Sequence, residues 1–180
     1  MAATHHEIRI GNVTRELPIR AGKAGIRMAY FNILNDWEIT EAAANALAPK
    51  IPFGTEVLVM AEGKAQGLLT EMGRIAKLPI AVVRKVRKPN MEGEVLEFPY
   101  QSASSTVAQC LYLDEETAAL IRRKHVAVVD DVISTGETER ALRAVFKHPS
   151  VQAKFNRTMA VFVEGNPRPD VISLGHLPLY

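Results

Sequence analysis

The amino-acid sequence predicts an α/β fold in which helices cover both faces of a parallel β-sheet. Short apolar runs alternate along the chain with helical patterns, and the runs 80–83, 126–129 and 159–163 are apolar throughout. Strands that are apolar on both sides are typical of a sheet buried on both faces, whereas half-exposed strands alternate with polar residues. Helical segments between such strands favour a parallel arrangement.

The first half of the chain begins with an alternating segment, 7–20, which is interrupted by Gly11 and Asn12 and predicts a β-hairpin. Thr40 is the predicted N-cap of a helix that ends near Pro49. A strand over 56–60 precedes the clearest amphipathic helix, 65–76, whose apolar side chains recur at intervals of three and four. Another apolar strand follows over 80–86.

The second half predicts a short helix that Asp114 caps and the basic run 122–124 ends. Further elements are strands over 126–129, 158–163 and 171–174 and a helix over 137–147. Between the two halves, residues 87–109 have no clear period. A long irregular insert in a compact domain is typical of a functional lid, and a solvated β-hairpin without a role is the alternative.

Length, composition and charge limit the class of protein. A chain of 180 residues, 47% hydrophobic, suffices for one domain with its own core, so residues 1–180 are expected to form a single domain. The net charge of +2 argues against a nucleic-acid partner. No apolar run approaches membrane-spanning length, and the single cysteine, Cys110, cannot form an internal disulfide. We therefore expect a cytoplasmic protein with neither a membrane nor a nucleic-acid partner.

The most informative motif is the strand, turn and helix over 126–142. The strand leads into Asp130 and Asp131, and a hydroxyl-rich turn containing Gly136 opens the helix. Glycine lets a ligand approach the backbone closely, and free amides at a helix N-terminus attract phosphate. Carboxylates accept hydrogen bonds from the vicinal hydroxyls of a ribose, directly or through a divalent ion. The motif therefore predicts a site for a 5-phosphoribosyl group, while the P-loop and GxGxxG motifs are absent.

This segment resembles the phosphoribosyl-pyrophosphate signature of type I phosphoribosyltransferases. The resemblance implies a parallel sheet flanked by helices, a hood made of residues 1–36 and the C-terminal tail, and a flexible flap over 87–109. It also implies a homodimer and a Mg²⁺ ion carried by the donor, with no direct protein ligand beyond a contribution from the two aspartates. Asp130 and Asp131 would be the catalytic residues that hold the ribose hydroxyls. The 5-phosphate loop would consist of Ser134, Thr135, Gly136, Glu137 and Thr138, with Glu137 directed to solvent.

A second loop, over 61–65, resembles the Glu-Ala-Arg-Gly loop of adenine phosphoribosyltransferases, with Lys64 at the arginine position. A strand that ends in Arg84 and Lys85 follows at a similar spacing. For Arg84, an ordinary solvated strand end is the alternative. The pyrophosphate ligands implied by the resemblance are Glu62, Gly63, Lys64, Ala65, Arg84, Lys85 and Lys88.

The identity of the base depends on fewer signals. One type of hypoxanthine-guanine enzyme carries an aspartate where this chain has Ser134, which argues against that mechanism. Tyr30 and Phe31 are candidates for stacking on a base, with a place in the core as the alternative. The resemblance implies a purine phosphoribosyltransferase that transfers the 5-phosphoribosyl group from phosphoribosyl pyrophosphate to a purine, with adenine favoured. The alternatives are a xanthine/guanine-type enzyme and a non-catalytic regulator that senses phosphoribosyl pyrophosphate.

Overall fold

The computed structural model describes residues 4–22, 25–91, 93–101 and 109–180. Its first part contains β1 (His5–Ile10), β2 (Val13–Ala21), β3 (Arg27–Ala29), α1 (Trp37–Leu47), a 3-10 turn (Ala48–Lys50), β4 (Val57–Ala61), α2 (Gln66–Ala76) and β5 (Ile80–Val83). Its second part contains β6 (Leu96–Tyr100), β7 (Gln109–Leu113), α3 (Glu115–Ile121), β8 (His125–Ile133), α4 (Glu137–Lys147), β9 (Lys154–Glu164) and β10 (Val171–Leu177).

Five strands form a central parallel sheet in the order β10-β9-β8-β4-β5. This confirms the predicted α/β class with helices on both faces of a parallel sheet. Successive side chains of a strand point to opposite faces. Val57 and Val59 of β4 accordingly join the core beneath α3 and α4, whereas Leu58 and Met60 join the core beneath α1 and α2. No helix among the described residues is long and apolar enough to span a membrane.

A smaller antiparallel sheet, β1-β2-β3, lies at the N-terminal side. Its first hairpin turns at Gly11, with φ +57°, and pairs Ile10 with Val13 as the sequence predicted. β3 also pairs with the end of the chain, because the backbone amides and carbonyls of Arg27 and Tyr180 exchange two hydrogen bonds, of 3.0 and 2.8 Å. The N-terminal sheet and the C-terminal tail therefore form one connected surface.

Several predicted boundaries were wrong. Helix α1 begins three positions before Thr40, because Asp36 is its N-cap and accepts a hydrogen bond from the Ile39 amide at 3.1 Å. Strand β8 continues to Ile133, so the two aspartates lie inside a strand and not after it. The strand predicted over 80–86 ends at Val83.

We predicted an irregular insert over 87–109, but part of it is regular. Its described part contains β6, which pairs antiparallel with β7 from Leu96 opposite Leu113 to Tyr100 opposite Gln109. The middle of the expected flap, residues 102–108, lies outside the described residues. The base of this hairpin is tied to β5, since the backbones of Arg84 and Tyr112 exchange hydrogen bonds of 3.1 and 2.8 Å.

Candidate functional site

Most of the predicted site residues follow three neighbouring parallel strands. Glu62 to Ala65 follow β4, Arg84 and Lys85 follow β5, and the turn 134–136 follows β8. Because β8, β4 and β5 are adjacent and parallel, their carboxyl ends lie along one edge of the sheet. Ligands of open α/β sheets bind at this edge. The sheet order therefore brings together segments that are more than seventy residues apart in the sequence.

The two aspartates near the end of β8 differ in their hydrogen bonds among the described residues. Asp130 Oδ1 accepts a hydrogen bond from the Asp131 amide at 2.9 Å. Asp131 is 7% exposed, and its Oδ2 atom is buried without a hydrogen-bond partner among the described residues. The Lys64 ammonium lies 3.4 Å from that oxygen, an ion pair without hydrogen-bond geometry. An acceptor left unsatisfied in this way suits a ligand that brings hydroxyl donors or a cation.

Burial and the neighbouring charge of Asp131 raise the pKa of Asp130 to about 8, although Lys85 acts in the opposite direction. A carboxyl with so high a pKa is mostly protonated at neutral pH in the free protein, and a bound cation or hydroxyl donors favour its ionised form. Perturbed groups of this kind cluster at functional sites. The influence of Lys85 on Asp130, together with the Lys64–Asp131 ion pair, shows that predicted pyrophosphate and ribose residues lie side by side.

The predicted phosphate loop has the geometry of an anion site. Gly136 is the N-cap of α4 with φ +73°, in the left-handed region, and no side chain caps this helix end. Arg140 holds the loop by donating from Nη1 to the Thr135 carbonyl at 2.9 Å. Ser134 and Thr135 are exposed, whereas Thr138 lies beside the buried hydroxyl of Tyr100 in β6. The uncapped N-terminus leaves backbone amides for an anion.

Among the predicted pyrophosphate residues, Glu62 contacts Arg84 and Lys85, whereas Lys88 lies in a separate cleft. Glu62 contacts both residues that follow β5, because its Oε1 is 3.1 Å from Arg84 Nη1 and its Oε2 accepts from the backbone amide of Lys85 at 3.0 Å. Burial alone would raise the pKa of Glu62, but the Lys85 amide, Arg84 and Lys88 outweigh it and bring the pKa below its ordinary value. Glu62 therefore orients the side chain of Arg84 and fixes the backbone at Lys85. Lys88 lines a separate cleft of about 240 Å³ together with Arg84.

A cavity of about 600 Å³ lies over the phosphate loop. Its walls join Asp130, residues 132–139 and Glu164 to side chains of the N-terminal sheet region and the C-terminal tail. The apolar residues are Ile26, Met28, Val132, Ile133 and Leu179. The cavity thus combines polar groups of the loop with an apolar wall, as small-molecule sites commonly do.

The predicted base-stacking residues do not line this cavity. Phe31 is 5% exposed and packs edge-on against Phe162, with ring centroids 4.9 Å apart, so it belongs to the core. Tyr30 is partly exposed, and its ring lies 4.1 Å from the Arg20 guanidinium and 5.5 Å from Lys64 Nζ. Glu137 is half-buried and lines the cavity.

Ile26, Met28 and Leu179 of the apolar wall lie within the expected hood, residues 1–36 and the C-terminal tail, but sequence reasoning did not single them out. Met28 and Leu179 are paired in an isolated antiparallel bridge although about 150 positions separate them. Glu164 at the end of β9 was missed too, because one carboxylate after an apolar strand carries no local signal. The bridge between β3 and the tail is visible only in three dimensions.

Comparisons of sequence find no relatives, since neither a family model nor a curated protein matches the chain. Solved structures do match. An adenine phosphoribosyltransferase from Thermoanaerobacter pseudethanolicus superposes with a TM-score of 0.65 at 16% identity, covering 96% of this chain and 95% of the other. An adenine phosphoribosyltransferase from Trypanosoma brucei, in complex with AMP, pyrophosphate and ribose-5-phosphate, gives 0.65 at 14% identity, covering 80% and 67%.

A purine phosphoribosyltransferase from Pyrococcus horikoshii gives a TM-score of 0.53 at 18% identity, covering 79% of this chain and 85% of that one. Such low identities carry no residue roles across, but the similarity extends over most of the chain. The architecture and the resemblance of the strand–turn–helix motif agree. The chain has the fold of the type I phosphoribosyltransferases of the purine branch.

Proposed function

We propose that the protein is a purine phosphoribosyltransferase, with adenine as the favoured base and phosphoribosyl pyrophosphate as the donor. The single observation that carries this proposal is the 600 Å³ cavity, which is lined by the uncapped N-terminus of α4, by the Asp130 carboxyl and by apolar side chains. These three environments suit, in turn, a phosphate, a ribose diol and a planar base.

Different residues of the site bind different parts of the donor. Residues 134–138 bind the 5-phosphate through the amides at the start of α4, and Asp130 and Asp131 accept hydrogen bonds from the ribose hydroxyls. Lys64, Lys85 and Arg84 supply positive charge for the pyrophosphate. When a purine nitrogen attacks the anomeric carbon, the bond to pyrophosphate breaks and negative charge grows on the leaving group. Cations fixed beforehand by Glu62 and Asp131 stabilise that charge without reorganising.

A divalent cation fits the donor set of this site. Asp130 and Asp131 offer two carboxylates, and the described residues contain no cluster of three or more ligating side chains. Magnesium commonly uses one or two carboxylates and completes its shell with water and substrate phosphates. Bound with the donor, Mg²⁺ would neutralise charge on the pyrophosphate. The unsatisfied Oδ2 atom of Asp131 is the observation that supports this fit.

A carboxylate in the cavity wall favours an aminopurine. Glu164 lines that cavity, and an ionised carboxylate accepts hydrogen bonds but donates none. It can accept from the 6-amino group of adenine, whereas at the same position the 6-carbonyl oxygen of hypoxanthine, guanine or xanthine would meet a second acceptor. An unpaired polar group at a closed site costs roughly 1–3 kcal/mol, enough to discriminate between bases.

A panel of four bases tests the proposal. With Mg²⁺ and phosphoribosyl pyrophosphate, we expect the purified protein to convert adenine to its nucleoside monophosphate and to release pyrophosphate. We expect kcat/KM for hypoxanthine and xanthine to be lower by about tenfold or more. A preference for xanthine or guanine would replace adenine with the alternative base. Binding of the donor without consumption of any base would contradict the enzymatic function and favour the regulator.

Lys64→Gln is expected to weaken pyrophosphate binding by about tenfold, because the ammonium is a charged ligand placed 3.4 Å from Asp131 Oδ2. Product inhibition by pyrophosphate measures the effect. Lys124→Gln is the matched control. Lys124 is also ion-paired, 2.8 Å from Glu56, but it directly precedes β8 and so lies at the opposite edge of the sheet from the carboxyl ends of the strands. Equal inhibition constants in the two variants would remove Lys64 from the pyrophosphate site.

A further inference from the structure

The connection between β9 and β10 carries an arginine that two carboxylates hold in a fixed orientation. Arg168 donates from Nε and Nη2 to the two oxygens of Asp170 at 2.8 and 2.7 Å, and from Nη2 to Glu139 Oε2 at 2.8 Å. The Glu139 side chain is only 2% exposed, and that of Arg168 is 22% exposed. Paired hydrogen bonds between a guanidinium and a carboxylate fix direction as well as distance.

This guanidinium packs against the phosphate loop. A Cβ atom placed on Gly136 would lie 2.5 Å from Arg168 Nη1 and 3.5 Å from its Cζ. The same Cβ would lie 3.4 Å from Glu139 Oε2. The backbone at Gly136, with φ +73°, is therefore enclosed by an arginine and the carboxylate that binds it.

Glu139 makes this arrangement electrostatically important. A buried carboxylate in the first turn of α4 would repel a phosphate bound at the start of the same helix. An uncompensated buried charge is also costly to the fold. Arg143 and Arg168 both pair with Glu139, but they differ in their other contacts. Arg143 lies over the Phe155 ring, 4.0 Å from its centroid, whereas Arg168 touches the loop.

We propose that Arg168 is a positioning residue for phosphate recognition, which supports the left-handed backbone of Gly136 and neutralises Glu139 beside the loop. This inference rests on the proposed function, because it takes the loop to be the phosphate site. The Arg168–Asp170 ion pair persists over the ordinary pH range, since hydrogen bonding to Arg168 holds the pKa of Asp170 at about 2. Arg168 acts on the ligand through the loop and does not line the cavity.

Calorimetric titration of the full chain with ribose 5-phosphate tests this role. Arg168→Gln is expected to weaken binding about tenfold, the effect of one charge-linked contact. Arg168→Lys keeps the charge but loses the planar fork, so a loss of about threefold to fivefold is expected. Arg143→Gln is the matched control, because it removes a guanidinium from the same carboxylate without touching the loop. It should change the affinity less than about twofold.

Turnover separates positioning from general destabilisation. In Arg168→Gln we expect a higher KM for the phosphorylated substrate and an unchanged KM for the base, whereas a damaged fold would reduce the active fraction and lower kcat alone. Equal affinities in Arg168→Gln and wild type, or equal losses in Arg168→Gln and Arg143→Gln, would overturn the proposal.

If Arg168→Gln does not fold, Arg168→Lys takes its place in the comparison, and an affinity equal to that of Arg143→Gln overturns the positioning role. A wild-type protein that does not bind ribose 5-phosphate overturns the proposed function and this inference together. A wild-type protein that binds it no better than Arg168→Gln overturns the inference alone.

Discussion

Asp130→Asn is expected to reduce kcat/KM for phosphoribosyl transfer by at least about tenfold, because the ribose hydroxyls and a cation carried by the donor favour the ionised carboxylate, which accepts at both oxygens, whereas the amide accepts at one only. Steady-state kinetics with saturating base measure the loss. The same variant should keep its phosphate loop, since Gly136 and its contacts with Arg168 do not involve Asp130. Inhibition by inorganic phosphate should therefore change little.

The stability of Asp130→Asn should change in the opposite direction. Folding raises the pKa of Asp130 from 3.8 to about 8, so the unfolded chain releases this proton more readily than the folded one. The proton on Asp130 therefore favours the native state fully below pH 4, and this stabilisation is lost as the pH rises to about 8. An asparagine cannot ionise, so the Tm difference between variant and wild type should increase over that range. Thermal unfolding at a series of pH values measures it.

Asp114→Asn is the matched control for both measurements. Asp114 caps α3 by accepting from the Thr117 amide at 2.9 Å, and asparagine caps a helix about as well. This variant should keep the wild-type kinetics and show no comparable rise in Tm. Wild-type kcat/KM in Asp130→Asn would remove Asp130 from the site, and a pH-independent Tm difference would contradict its raised pKa.

Gly136→Ala is expected to weaken binding of ribose 5-phosphate by roughly a hundredfold. A side chain in the left-handed region costs about 1–2 kcal/mol, and moving Arg168 away from the loop costs a similar amount, at 1.4 kcal/mol for each factor of ten. The new Cβ would lie 2.5 Å from Arg168 Nη1, so either the loop or the guanidinium must shift. Calorimetric titration measures the affinity.

Gly54→Ala separates backbone strain from the contact. Gly54 has φ +80°, but no atom lies within 4 Å of its added Cβ. The control should therefore lose stability through strain alone and bind ribose 5-phosphate as the wild type does. If Gly136→Ala also keeps wild-type affinity, residues 134–138 are not the phosphate site.

The sequence predicted the sheet and helix α4 well because their signals are local and agree. The apolar run of β8, the glycine turn and the amphipathic helix that follows all favour the same strand–turn–helix unit. The start of α1 was missed because two capping residue types occur four positions apart. In the structure Asp36 caps the helix, and the Thr40 hydroxyl donates to the Asp36 carbonyl at 2.7 Å inside the first turn.

The base end of the cavity could not be predicted from local patterns. Its wall forms where Met28 meets Leu179, a contact between the two ends of the chain that no period or motif encodes. The aromatic pair Tyr30 and Phe31 was a reasonable choice by residue type, yet Phe31, two residues after the end of β3, lies in the core. The partner of Arg168 was missed for a similar reason, since Glu139 looks like an ordinary exposed residue of a charged helix.

The side chains of β4 alternate between two hydrophobic cores, and this affects the cost of ordering the site on binding. Val57 and Val59 are fixed by one helical layer, and Leu58 and Met60 by the other, so β4 is held from both sides. The loop that carries Lys64 begins one residue after this strand ends. Groups attached to such a strand are already ordered before a substrate arrives. Little conformational entropy is then lost on binding, and more of each contact remains as affinity.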